Sequence, residues 1–205
     1  DLFPAAIKTG MLGSVTTCGI VADFLSRLPA PRPALVCDPV MVSTSGSSLL
    51  DADARDIVIR RIFPLVDILT PNLFEAGQII GSDVVRDAEK AAALILETGV
   101  RSVLIKGGHA EGNTSSDFWT DGENSMWLSS PRLDTNETHG TGCILAAAIA
   151  SALANGQDIS EAVVTAKTFL NQCIGNPANV GAGPGPVLVK PFCNLERDRP
   201  NVRYN

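Results

Sequence analysis

The stretch Thr138-His139-Gly140-Thr141-Gly142-Cys143 runs without a break into Ile144-Leu145-Ala146-Ala147-Ala148-Ile149-Ala150-Ser151-Ala152-Leu153-Ala154. The second half reads as a helix. Ala and Leu are the strongest helix formers, and no Pro, Gly or charged residue intervenes before Asn155-Gly156, which supplies a stop. With almost no polar face, this helix is expected to be buried on several sides. Its entry is different: Gly140, Thr141 and Gly142 put permissive backbone where unpaired N–H groups and the positive end of the helix dipole converge, a place suited to an anion. Glycine lets an oxyanion approach the main chain, and the Thr141 hydroxyl adds a donor. Cys143 stands in the first turn, where the dipole favours a thiolate. The same residues also suit a Gly-rich turn before a core helix, with Cys143 a small buried hydrophobe. No Lys-Ser/Thr follows the glycines, so this is not a P-loop.

Outward from this helix, apolar runs alternate with helical periodicity, the pattern of βα units around a mainly parallel sheet. Strands are expected over 5–9, 34–37, 66–69 and 102–105, and helices over 14–28, 51–62, 72–80, 87–99 and about 160–174. Asp121-Gly122, flanked by strand-like 117–120 and 125–128, signals a hairpin. Residues 181–186 read as a loop leading into 187–189. Residues 1–190 are expected to form one domain, with 191–205 a tail or linker carrying Arg197, Arg199 and Arg203.

The 205 residues, 45% of them hydrophobic, suffice for one domain with a sizeable core. A net charge of −6 argues against nucleic acid and anionic membranes as partners. No apolar run reaches the ~20 residues of a membrane helix. Five cysteines, an odd number without Cys-x-x-Cys spacing, fit a reducing compartment. His109 and His139 have no zinc-ligand spacing. The chain opens at Asp1, at what reads as the edge of a buried strand. An N-terminal portion is therefore expected to be missing, and any targeting segment would precede it.

In open α/β sheets ligands bind outside the carboxyl ends of the strands. Four expected strand ends carry polar residues: Lys8-Thr9-Gly10-Met11, Asp38-Pro39-Val40-Met41, Thr70-Pro71-Asn72 and Lys106-Gly107-Gly108-His109. Asp38, biased to extended backbone by Pro39, suits either Mg²⁺ or a turn cap. Asn72 and Glu75 share one face of a helix start, where Glu75 either serves a ligand or complements the dipole. Lys106 is a point charge suited to a β- or γ-phosphate. Lys167 lies inside a helix, and helix lysines usually face solvent.

These motifs stand in the order found in ribokinase-like kinases: 6–14, 38–41, Asn72-x-x-Glu75, Lys106-Gly-Gly-His109 and 138–143. Cys143, where most of that superfamily has Asp, resembles the hydroxymethylpyrimidine/phosphomethylpyrimidine kinase branch of thiamin biosynthesis. The resemblance spans residues 6 to about 189. It implies a three-layer α/β/α ribokinase-like fold, N-terminally truncated. It also implies ATP-dependent, Mg²⁺-assisted phosphorylation of 4-amino-5-hydroxymethyl-2-methylpyrimidine and its monophosphate.

By the same resemblance, Gly140, Thr141, Gly142 and Cys143 carry the transfer, and Asp38 and Glu75 serve Mg²⁺. Lys106, Thr138, Asn72 and Thr70 bind the nucleotide. Met11, Val40 and Lys167 face the substrate, Lys167 toward an existing phosphate. A homodimer is implied, sometimes fused to a thiamin-phosphate synthase domain, in the cytoplasm or in an organelle stroma. Two features depart from the family. The N-terminal Gly-rich segment, with the acidic residue that binds the aminopyrimidine, has no counterpart, and Val189-Lys190 stands where a histidine is common. Two alternatives stay open: pyridoxal kinase, and a non-catalytic ligand-binding module that kept the fold.

Overall fold

Runs of Val, Leu and Ile closed by Asp, Thr-Pro or Lys-Gly form the strands that position the site. The computed structural model describes residues 2–41, 49–82, 85–107, 112–133, 135, 139–176, 185–189 and 198–205. Within them a seven-stranded sheet runs in chain order: β1 (Ala6–Thr9), β2 (Ala34–Cys37), β3 (Ile68–Leu69), β4 (Val103–Ile105), β5 (Thr114–Thr120), β6 (Ser125–Pro131) and β7 (Asn201–Tyr204). Neighbours from β1 to β4 are parallel, and those from β4 to β7 antiparallel. The parallel half matches the sequence expectation.

The antiparallel half is larger than the single hairpin foreseen. β5 begins at Thr114, three residues before the expected start at 117, because Ser115 and Ser116 pair with Ser130 and Ser129. The Ser116 and Ser129 hydroxyls share a 2.8 Å hydrogen bond. A serine ladder has no apolar alternation, so periodicity does not reveal it. The end of the expected tail also differs: Asn201–Tyr204 pairs with β6 as the sheet edge instead of fraying. Polar, charged residues in that position suit an edge strand.

Successive strand residues point to opposite faces, and the core divides accordingly. Leu35, Cys37, Leu69, Val103, Ile105 and Phe118 enter one apolar cluster. It also receives α1 (Val15–Ser26), α2 (Ala52–Ile57), α3 (Leu73–Ile80) and α4 (Ala88–Leu96). Val36, Ile68, Leu104, Trp119, Met126 and Leu128 enter the other, beneath α5 (Thr141–Ala154) and α6 (Ile159–Ile174). Two helical layers therefore sandwich the sheet, the three-layer architecture read from the sequence. α2 continues through a π-helical turn, Val58–Ile62, and a 3₁₀ turn, Phe63–Leu65, that carries Pro64.

The Ala-rich α5 is less enclosed than its composition suggests. Leu145, Ala146, Ile149 and Ala152 are buried, whereas Cys143, Ala147 and Ser151 are exposed. Alanine is small enough to tolerate both settings, so the lack of a polar face does not determine burial.

Asp67, just before β3, fastens the parallel half. Its carboxylate accepts two hydrogen bonds from Arg32 (2.9 and 3.1 Å), one from Arg101 (2.9 Å) and one from the Leu35 amide (2.8 Å). Its carbonyl accepts from the Ser102 hydroxyl at 2.8 Å. One buried carboxylate thus ties together the entries to β2, β3 and β4. Removing one partner of such a pair strands the others, at a cost of about 3 kcal/mol. Asp67→Ala is expected to lower the unfolding free energy from urea titration by that amount, and a loss below about 1 kcal/mol would mean that solvent replaces these bonds.

Candidate active site

The parallel ladder does not stop at the strand ends. The Asp38 amide donates to the Thr9 carbonyl (3.0 Å), Thr70 to Cys37 (2.9 Å) and Lys106 to Pro71 (2.8 Å). Asn72 and Lys106 form a further parallel bridge. These bonds hold Asp38, Asn72 and Lys106 in line at the carboxyl end of the sheet.

The Lys106 ammonium donates to Asp38 Oδ1 at 2.9 Å and lies 3.9 Å from Glu75 Oε2. Both carboxylates are buried. Glu75 is fixed from a second direction by a capping box: its carboxylate accepts from the Asn72 amide, while Asn72 Oδ1 accepts from the Glu75 amide, both at 2.8 Å. Burial raises the Glu75 carboxyl above its ordinary range, against the opposing pull of Lys106 and the Asn72 N–H. The folded chain therefore keeps a proton on Glu75 at a pH where the unfolded chain has released it.

Helix α5 opens onto this trio. A Cβ built on Gly142 would lie 3.3 Å from Lys106 Nζ and 3.7 Å from Asp38 Oδ2. The N-cap, Gly140, has φ +86°, the left-handed region that disfavours side chains. Helices α1, α3, α4 and α6 are closed by Ser14, Asn72, Asp87 and Asp158 side chains, whereas α5 has no side-chain cap. Among the described residues no acceptor is found for its first amides, with Lys106 below them and exposed Cys143 beside them.

The structure thus brings together Gly140, Thr141, Gly142, Cys143, Lys106, Asp38 and Glu75. Asn72 belongs to the same cluster as a cap. Val40 is half-buried just past Asp38, and its amide donates to the Asp38 carbonyl at 2.9 Å. Met11 follows β1 with 60% of its surface exposed. Thr138 lies outside the described residues.

Two expected residues are engaged elsewhere. Thr70 is fully buried and its hydroxyl donates to the Cys37 carbonyl (3.4 Å), so it packs between strands rather than facing a nucleotide. Lys167 is only 5% exposed. Its ammonium donates to Asp117 Oδ2 at 2.6 Å. Asp117 Oδ1 in turn accepts from the Gly107 amide at 2.9 Å.

The sequence reading put Gly107 in a strand-end motif and Asp117 at a strand start, and gave neither a role at the site. Gly107 lies so close to β5 that an added Cβ would sit 1.9 Å from the Ser116 carbonyl oxygen. The Lys-Gly pair at a strand end was the available signal. Of the other thiols, Cys37 is sealed between strands and burial pushes it up to about 12, so it is no nucleophile.

Known proteins resemble this chain along most of its length. Residues 1–188 match the family model described as phosphomethylpyrimidine kinase. A hydroxymethylpyrimidine/phosphomethylpyrimidine kinase from Streptomyces coelicolor is 43% identical, over 91% of this chain and 69% of its own length. A probable chloroplastic thiamine biosynthetic bifunctional enzyme from rice is 37% identical over 91% of this chain and 34% of its own. The solved pyridoxal kinase of Staphylococcus aureus in complex with ADP superposes with a TM-score of 0.87 at 32% identity, covering 99% of this chain and 73% of that one.

The raised Glu75 carboxyl has a measurable sign. A group whose folded pKa exceeds its unfolded value of ~4.3 contributes stability below that value and loses it as pH rises through the folded pKa. Glu75→Gln keeps an acceptor for the capping box and removes the charge. Its urea midpoint, compared with that of the parent, is therefore expected to improve as pH rises from below ~4.3 through the folded pKa of Glu75. A constant difference across that range would assign the substitution's effect to packing.

Proposed function

The chain belongs to the phosphomethylpyrimidine kinase family, and from that premise we propose that it transfers the γ-phosphoryl group of ATP to hydroxymethylpyrimidine and to its monophosphate in thiamin biosynthesis. One observation carries the reading: the uncapped mouth of α5 opens directly onto Lys106 and Asp38, with no side chain at Gly142 to separate them. Phosphoryl transfer asks mainly for positioning and charge neutralisation around a loose transition state, and this site offers both.

In the proposed reaction, main-chain amides at residues 141–143 donate to oxygens of the transferring group, and the Lys106 ammonium offsets their charge. The acceptor hydroxyl oxygen bonds to the γ-phosphorus as the bond to the β–γ bridging oxygen breaks. The Cys143 thiolate takes the hydroxyl proton. Asp38 and Glu75 are suited to Mg²⁺, which binds through one or two carboxylates together with substrate phosphates; two buried carboxylates sharing one ammonium fit that requirement. When bound, Mg²⁺ supplies further neutralisation of phosphate charge. Val40 and Met11 border the acceptor ring.

As in the sequence reading, we propose a homodimer in the cytoplasm or an organelle stroma. Fusion to a thiamin-phosphate synthase domain is consistent with the bifunctional name of the rice relative. Among the described residues no helix is long and apolar enough to cross a membrane.

General-base assistance contributes ~10²–10⁴-fold. Cys143→Ala is expected to lose about that much turnover with ATP affinity nearly unchanged, and an unaltered rate would return Cys143 to packing. The likeness to pyridoxal kinases supports one competing reading. Phosphorylation of pyridoxal and hydroxymethylpyrimidine by the intact protein, compared as kcat/KM, decides between them: preference for the pyrimidine is expected, and preference for pyridoxal would overturn it.

A further inference from the structure

Using a pyrimidine and then its monophosphate as acceptors places two different charges in one site, the second a phosphate of about −1.5 to −2. In the proposed reaction Asp38, Glu75 and Lys106 already serve the nucleotide phosphates and Mg²⁺, and the two carboxylates share that one ammonium. A further cation is needed on the acceptor side. Lys167 does not supply it, because its ammonium is buried against Asp117 at 2.6 Å.

We propose that Lys8 recognises the phosphate of the phosphorylated pyrimidine. The inference rests on the pyrimidine kinase reading and names the group that would let the same site take its charged acceptor. Three observations carry it. First, Lys8 is in register with Val36, whose side chain packs beneath α5 and α6. Side chains of paired parallel residues share a face, and those two apart on a strand share it again. Lys8 and Asp38 therefore point toward the α5 layer from adjacent strands.

Second, the ammonium is folded over the end of its own strand: a Cβ added to Gly10 would lie 2.8 Å from Lys8 Nζ. Glycine leaves that space open. The Asp38 amide bonds to the Thr9 carbonyl, so Gly10 lies beside Asp38, and Met11 follows, exposed at the same end. Third, Lys8 is half-buried and forms no ion pair among the described residues. A half-buried lysine on β1 thus stands at the acceptor side, while Lys106, just past β4, serves the nucleotide.

The test measures binding of hydroxymethylpyrimidine and of its monophosphate to the intact protein by calorimetry without nucleotide. A charge-assisted bond to phosphate corresponds to about 10- to 100-fold in affinity. Lys8→Met is expected to weaken the monophosphate by that factor more than the unphosphorylated ring, and Lys8→Arg to recover part of it. Equal losses on both ligands, or none on the monophosphate, overturn the proposal.

A variant-independent arm follows the methylated Lys8 resonance of the parent protein, assigned with Lys8→Arg. That resonance should shift with the monophosphate and hold still with the unphosphorylated ring, and the reverse pattern rejects Lys8. Failure of the function is read separately. A parent protein that binds both rings but phosphorylates neither refutes the kinase reading, while the affinity ratio still judges Lys8. One that binds neither ring refutes both.

Discussion

Everything at the site hangs on the parallel ladder continuing one step past the ends of the strands. The main-chain bonds from Asp38 to Thr9, Thr70 to Cys37 and Lys106 to Pro71 extend the register of β1 to β4 into segments that are no longer strand. Residues far apart in sequence consequently leave the sheet at one height. The meeting of Asp38 with Lys106, 68 positions later, follows from that register. Asp67 secures the opposite end of the same strands, so charge holds the ladder at both ends while apolar side chains fill the faces.

Most of this frame was legible because parallel strands buried on both faces read as short aliphatic runs closed by turn-forming residues. The capping box of α3 was visible as Asn72 and Glu75 three apart, and the α5 mouth as glycines ahead of an Ala-rich run. What stayed hidden has a physical reason in each case. The Ser115–Ser116 start of β5 and the polar β7 draw their stability from pairing with β6, which a local apolar pattern does not report. Lys167 was carried to the substrate by the family resemblance, and a lysine in a helix carries no sign of the buried carboxylate it meets 50 positions away. Thr70 looked like a ligand group from its place at a strand end, yet that place also buries it.

Two glycines divide the labour of close approach. Gly107 sits against the Ser116 carbonyl, so the chain after β4 packs onto β5 with no room for a methyl group. Gly142 clears the space between the α5 amides and the ammonium of Lys106. The first serves packing and the second chemistry. Both explain why small residues concentrate at one end of a sheet whose core is otherwise aliphatic.

Helix α5 differs from α1, α3, α4 and α6 in lacking a side chain that closes its first turn. In the proposed reaction the missing stopper is brought in from outside, by the cargo itself. Each catalytic cycle would then close and reopen the same seam.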